Sequence, residues 1–156
     1  MLIGNPDSFA IWCDPVESWS TDQFKNGCFA YFIGRNALWS LRSTLGVDFN
    51  LLSQLHCLSN SVEDTRLFGL PHVEAYAELC RRAFPSMDSS ATDSDYKHLV
   101  SVGSLLDEAH NVFLVESGDQ AKLIYGFNDD YAGVRDVVLK LGEFQAVVAV
   151  AINKLK

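Results

Sequence analysis

Two segments, Asn111 to Glu116 and Gln120 to Tyr125, flank the turn signal Gly118-Asp119 and read as a β-hairpin. In that register Leu114 pairs with Leu123 and Phe113 with Ile124, so apolar side chains occupy both faces. Neither face of such a pair is suited to water. Helices have to cover one face and other residues the second, which calls for a layered fold.

The remaining segments supply candidate layers. Ser8 to Asp14 is rich in strand formers (Phe9, Ile11, Trp12) and stops at Pro15. A polar link, Ser18 to Lys25, leads to the turn signal Asn26-Gly27. Cys28 to Ile33 is apolar on both faces, as a covered central strand is. Gly34-Arg35-Asn36 forms a short turn, and Ala37 to Leu41 returns as a hairpin partner. Asp48 is a candidate N-cap ahead of Leu51, Leu52, Leu55 and Leu58, a helical stripe. A second helix has Pro71 in its first turn, the stripe Val73, Tyr76, Ala77, Cys80 and Phe84, Arg81 and Arg82 in its last turn, and Pro85 as its stop.

Ser86 to Asp95 reads as a solvated loop, Tyr96 to Val102 as a strand, Asp129 to Gly133 as a loop and Val134 to Leu141 as a strand. Phe144, Val147, Val148, Ala151, Ile152 and Leu155 mark a final helix, with Glu143 at its start and Lys154 and Lys156 at its end. The order strands, helices, strands, helix predicts an α+β fold: one domain over residues 1–156, with a mainly antiparallel sheet packed by about three helices. A length of 156 residues suits one domain that folds without metal or disulfide. No apolar run approaches the ~18–20 residues of a membrane span, and the N-terminus lacks a basic and apolar leader. These features predict neither a secretory signal nor a membrane partner.

Reactive motifs are sparse. Cys13, Cys28, Cys57 and Cys80 form no C-x-x-C and read as unpaired thiols on apolar segments. His72-Val73-Glu74 resembles the H-x-E of zinc deaminases, but the required P-C-x-x-C is missing. His56 and Cys57 are adjacent, and adjacent helical residues do not face each other. Spacing leaves open Cys13 with His98 or Cys80 with His110, so a small cysteine-dependent enzyme is a rival reading. Asp93-Ser94-Asp95 begins like a calcium loop, yet His98 and Ser104 stand where Gly and Glu are needed. No phosphate-binding or hydrolase motif occurs. The reading is non-catalytic, with no cofactor and no metal.

The net charge is −8, against nucleic-acid binding. Between Ser86 and Asp130 nine acids face only Lys97 and Lys122, so this stretch holds seven of the eight net negative charges. Such a cluster is either a solubilising face, as in an acidic adaptor, or a docking surface for a basic partner. Tyr96, Phe113, Tyr125, Phe127 and Tyr131 lie within it as candidate apolar anchors.

A series of short patterns stands in a set order along the chain. They are Gly4-Asn5-Pro6, Phe9-Ala10-Ile11, Asp14, Val16, Trp19, Phe24, Asn26-Gly27, Leu45, Asp48, Leu67-Phe68, Ala75-Tyr76, Asp95-Tyr96 and the Val112–Tyr125 hairpin. Together they resemble the immunity protein 42 family of bacterial polymorphic-toxin systems, from Met1 to Leu155, with Asn5 where Asp is more usual. The resemblance implies a small cytoplasmic protein that binds one cognate toxin domain, often a nuclease, and blocks it. It carries over no catalytic residue. A basic nuclease suits an acidic binder, and Asp93, Asp95, Tyr96, Asp107 and Glu108 are the expected toxin-binding residues. Oligomeric state is left open.

Overall fold

The computed structural model describes residues 1–88 and 93–155. Strands β1 (Leu2–Asn5), β2 (Phe9–Pro15), β3 (Asn26–Ile33) and β4 (Asn36–Thr44) form an antiparallel sheet in chain order. Helix α1 (Leu45–Ser53), α2 (Thr65–Gly69), α3 (His72–Ala83) and α4 (Gly103–Asp107) follow. A second antiparallel sheet holds β5 (His110–Ser117), β6 (Gln120–Phe127) and β7 (Asp130–Lys140), and α5 (Glu143–Leu155) ends the fold. The α+β class is as read from the sequence, but the strands divide into two sheets. Two of the five α-helices among the described residues, α2 and α4, are five-residue turns without a sequence stripe.

The β5–β6 register is the expected one, with Leu114 opposite Leu123 and Phe113 opposite Ile124. Both faces are covered. Val112, Leu114, Leu123 and Tyr125 join a core with Phe9, Ile11, Phe29 and Tyr31 of the first sheet, Leu52 of α1, and Phe144 and Val148 of α5. Phe113, Val115 and Ile124 pack on the other side against Leu67, Ala75, Tyr76 and Leu79. Tyr31 is fully buried among Phe9 (5.2 Å between ring centroids), Phe29 (5.5 Å) and Phe144 (6.5 Å), and its hydroxyl donates to the Val100 carbonyl at 2.7 Å. Gly34 and Arg35 make the β3–β4 turn with φ of 54° and 72°, the paired positive values that a tight hairpin twist demands. Gly126 is required by packing, since a Cβ there would sit 2.8 Å from the Tyr76 ring.

Several local expectations change. Helix α1 starts at Leu45, so Asp48 lies inside it and does not cap it. Its buried carboxylate accepts from Ser43 Oγ and, at 3.1 Å, from the Ser104 N–H in the first turn of α4. It therefore satisfies a helix N-terminus, but that of a different helix. On α3 the buried face is Ala75, Tyr76, Leu79 and Ala83, leaving Val73 and Phe84 in solvent. Small Ala75 and Ala83 are better suited than Val or Phe to a helix lying close on a sheet.

Tyr96 to Val102 is not a strand. Leu99 makes one bridge to Phe113, and then the Ser101 hydroxyl takes over the ladder, donating to the His110 carbonyl and accepting from Val112 N–H. Asp130 to Gly133 belongs to β7 rather than to a loop: Asp130 pairs with Phe127, and the three exposed residues after it pass through a register shift before pairing resumes at Arg135. The acidic loop read from Ser86 to Asp95 lies outside the described residues at 89–92, as does Lys156 in the last helix.

Val148 and Phe144 are fully buried on α5, whereas Ile152 is half-buried and Leu155 is exposed. Phe144→Ala is expected to destabilise the protein by about 3–5 kcal/mol, and Leu155→Ala by under ~1 kcal/mol. Urea unfolding followed by circular dichroism measures both.

Candidate interaction surface

The acidic stretch folds into several places because the β5–β6–β7 meander sends it back and forth. Glu116 is buried and accepts from the Val62 N–H (3.0 Å) and Gln145 Nε2 (3.1 Å), so it ties a loop and α5 to β5. Asp119 sits at the β5–β6 turn, at the opposite end of that hairpin from Asp129 and Asp130. The Asn128 N–H donates to the Ala109 carbonyl (2.8 Å), which places Asp129 and Asp130 at the end where α4 delivers Asp107 and Glu108. The −7 of the linear stretch is therefore not a single patch.

Of the expected site residues, Asp95 and Tyr96 are brought together on the rim of a cleft of about 740 Å³. The Asp95 N–H donates to the Arg82 carbonyl (2.7 Å), and Asp95 Oδ1 accepts from the Lys97 N–H (3.0 Å). That turn holds Tyr96 against Phe84, with ring centroids 6.4 Å apart and both rings about half exposed. Leu51, Leu55, Leu99 and Leu106 complete the apolar lining. Asp93 is exposed two residues before Asp95, outside the lining. Asp107 is exposed beside Leu106, without an ion pair among the described residues.

Glu108 differs from the rest. It receives Arg42 at 2.9 Å and the Ser40 hydroxyl at 3.4 Å, so its charge is compensated within the chain. The apolar half of the cleft was missed in the sequence. Its signal was present in Leu51 and Phe84, members of helical stripes that the fold leaves partly in solvent.

The four thiols are unpaired. Cys13 and Cys57 lie in the core, while Cys28 is buried on the outer face of the first sheet and Cys80 is half-buried. Burial raises all four thiol pKa values, that of Cys57 to about 12, which is opposite to the activation a nucleophile needs. The candidate Cys–His pairs do not form among the described residues. His98 Nδ1 sits at 2.8 Å from the Leu114 carbonyl, His110 packs on Phe127, and His56 points to Asn60. Among the described residues no three metal-ligating side chains gather, and no helix is long and apolar enough to cross a membrane.

The molecule is a small α+β domain with protonated thiols and an open apolar cleft that has a charged rim. The chain belongs to the immunity protein 42 family, whose profile matches residues 1–154. A solved structure, CdiI from Burkholderia dolosa AUO158, is 56% identical over 99% of each chain and superposes with a TM-score of 0.96. A search of curated proteins found no match.

Two measurements check this account of the buried groups. In native protein at pH 8 a thiol reagent is expected to label Cys13, Cys28 and Cys57 at least ~100-fold more slowly than free cysteine, with four equivalents released on unfolding. The second concerns His98 and His110, whose pKa values burial holds below the ordinary 6.5. The unfolded chain therefore protonates them at higher pH than the folded chain does. Their contribution is complete above about pH 6.5 and is lost as the pH falls through the folded values. Thermal melts are expected to drop between pH 7 and pH 5, and less steeply in His98→Gln.

Proposed function

We propose that this protein neutralises a cognate bacterial toxin domain by binding over its active site, as an immunity protein of a contact-dependent growth inhibition or related polymorphic-toxin system. Membership of the family supports the immunity role, and so does the name CdiI on the 56% identical chain. The observation that carries the mode of binding is the cleft. Half-exposed Tyr96 and Phe84 stand beside Leu51, next to the carboxylates of Asp95 and, beyond Leu106, Asp107. Aromatic anchors bury area with few rotors to freeze, and carboxylates on the rim steer a basic partner and set its register.

A nuclease domain, basic where it holds phosphates, is the partner this charge fits best. Asp93, Asp95, Tyr96 and Asp107 are its proposed contacts. Glu108 takes part through Arg42, as a pair that a toxin carboxylate or guanidinium could split. The reaction is occlusion, with no cofactor, nucleic acid or membrane, and its place is the cytoplasm of the protected cell.

The test is association with a cognate toxin domain. Asp93→Lys with Asp107→Lys is expected to slow association about 10-fold or more at low salt, with the deficit shrinking as salt rises. Tyr96→Ala is expected to speed dissociation and to cost about 2 kcal/mol or more of binding. If stopped-flow traces for both variants overlay those of the wild type at every ionic strength, the toxin binds another face.

A further inference from the structure

Among the described residues no α-helix packs on the outer face of the first sheet. Cα pairing and the shared depression place Leu2 of β1, Ala10, Trp12 and Asp14 of β2, Cys28, Ala30 and Phe32 of β3, and Ala37, Trp39 and Leu41 of β4 on that side. Helices α1 and α5 contribute to the core on the opposite side. Across the face, Leu2, Trp12, Ala30 and Trp39 form one row, and Ala10, Phe32 and Ala37 the next. Large side chains surround a depression of about 270 Å³ lined only by strand residues, among them Trp12, Ala30, Phe32, Trp39 and Leu41. Trp39 and Leu41 are 53% and 50% exposed. One charged residue, Asp14, belongs to the face, at its end.

We propose that this face pairs with the same face of a second copy, giving a two-fold dimer of sheet packed on sheet. Charge selects the occupant. A basic toxin gains nothing from a neutral apolar surface and is drawn to the carboxylates at the far cleft. Two molecules of net charge −8 repel, and they approach at least cost through a surface that carries almost no charge. The relief is also self-complementary. A protruding indole of one copy fits the depression beside Ala30 of the other, and twisted sheets stack in this way about 10 Å apart.

Area sets the strength. Strands of seven to nine residues rise about 3.4 Å each and lie about 4.8 Å apart. They make a face of roughly 25 by 19 Å, short of the ~800 Å² per partner of a standard stable interface. The dimer is therefore one that dissociates on dilution, and it leaves the cleft of each copy free.

Sedimentation velocity of the full chain alone, from about 1 to about 500 µM, tests this. The expected result is a rise from monomer to dimer mass that is unchanged or strengthened by added salt, the reverse of toxin binding. Trp39→Glu and Leu41→Lys, both at positions exposed in the single copy, are each expected to raise the midpoint at least ~10-fold. Both variants should remain folded by circular dichroism, with toxin protection as in the wild type. A wild-type chain that remains monomeric at the highest concentration overturns the proposal. So does a dimer indifferent to both variants. Loss of toxin binding by a folded Trp39→Glu also overturns it, because the toxin would then be the occupant.

Discussion

The three-stranded sheet β5–β6–β7 carries apolar side chains on both faces, and the rest of the molecule is arranged to cover them. On one side the cover is a helix pair, α2 and α3, with Tyr76 pressed onto Gly126. On the other it is a second sheet, together with α1 and α5. Each buried leucine, valine or phenylalanine contributes about 1.5–3 kcal/mol when removed from water, so an uncovered face would cost more than a domain's net stability. Burying Tyr31 at the centre of this contact demands a partner for its hydroxyl. The Val100 carbonyl supplies it and so fixes the segment that leads to α4 and the cleft.

Carboxylates serve two different purposes in this chain. Asp48 and Glu116 are buried and spend their charge on N–H groups that no secondary structure satisfies: the Ser104 N–H in the first turn of α4, and the Val62 N–H of a loop. Glu108 is held by Arg42, linking α4 to the edge strand β4. Beside the half-exposed apolar side chains of the cleft, the carboxylates left for an outside partner are Asp93, Asp95 and Asp107, fewer than the linear count suggests, since Asp119, Asp129 and Asp130 are exposed away from the cleft lining. Compensated and buried charges steer nothing. A small number of free ones around an apolar cleft combines orientation with area.

The two open surfaces differ in kind because the first sheet is covered on only one side. Its inner residues (Phe9, Ile11, Phe29, Tyr31) are enclosed, while the indoles of Trp12 and Trp39 on the outer face shield Ala30 and Cys28 instead of a helix doing so. Single exposed hydrophobic residues are ordinary in a soluble protein. A contiguous face of this composition is not, and it is separate from the acidic cleft in both position and chemistry.

Local periodicity and turn chemistry determined much of this protein directly. Gly118-Asp119 sets the β5–β6 register, and Gly34-Arg35 closes the β3–β4 hairpin. The spacing of Phe144, Val148 and Ala151 makes α5, and the order of elements makes the α+β class. These features rest on interactions between near neighbours, which a sequence states openly. Tertiary contact decided the rest. It gave Asp48 to a helix N–H 56 residues away, and it let Ser101 end a strand that its neighbours favoured. It rotated α3 onto its alanines and divided one expected sheet into two. It also scattered the acidic run to both ends of a hairpin, buried Glu116 and paired Glu108, while drawing Leu51, Phe84 and Leu106 around Asp95 and Tyr96. Burial and pairing depend on which distant segment arrives at a side chain, and spacing along the chain does not encode that.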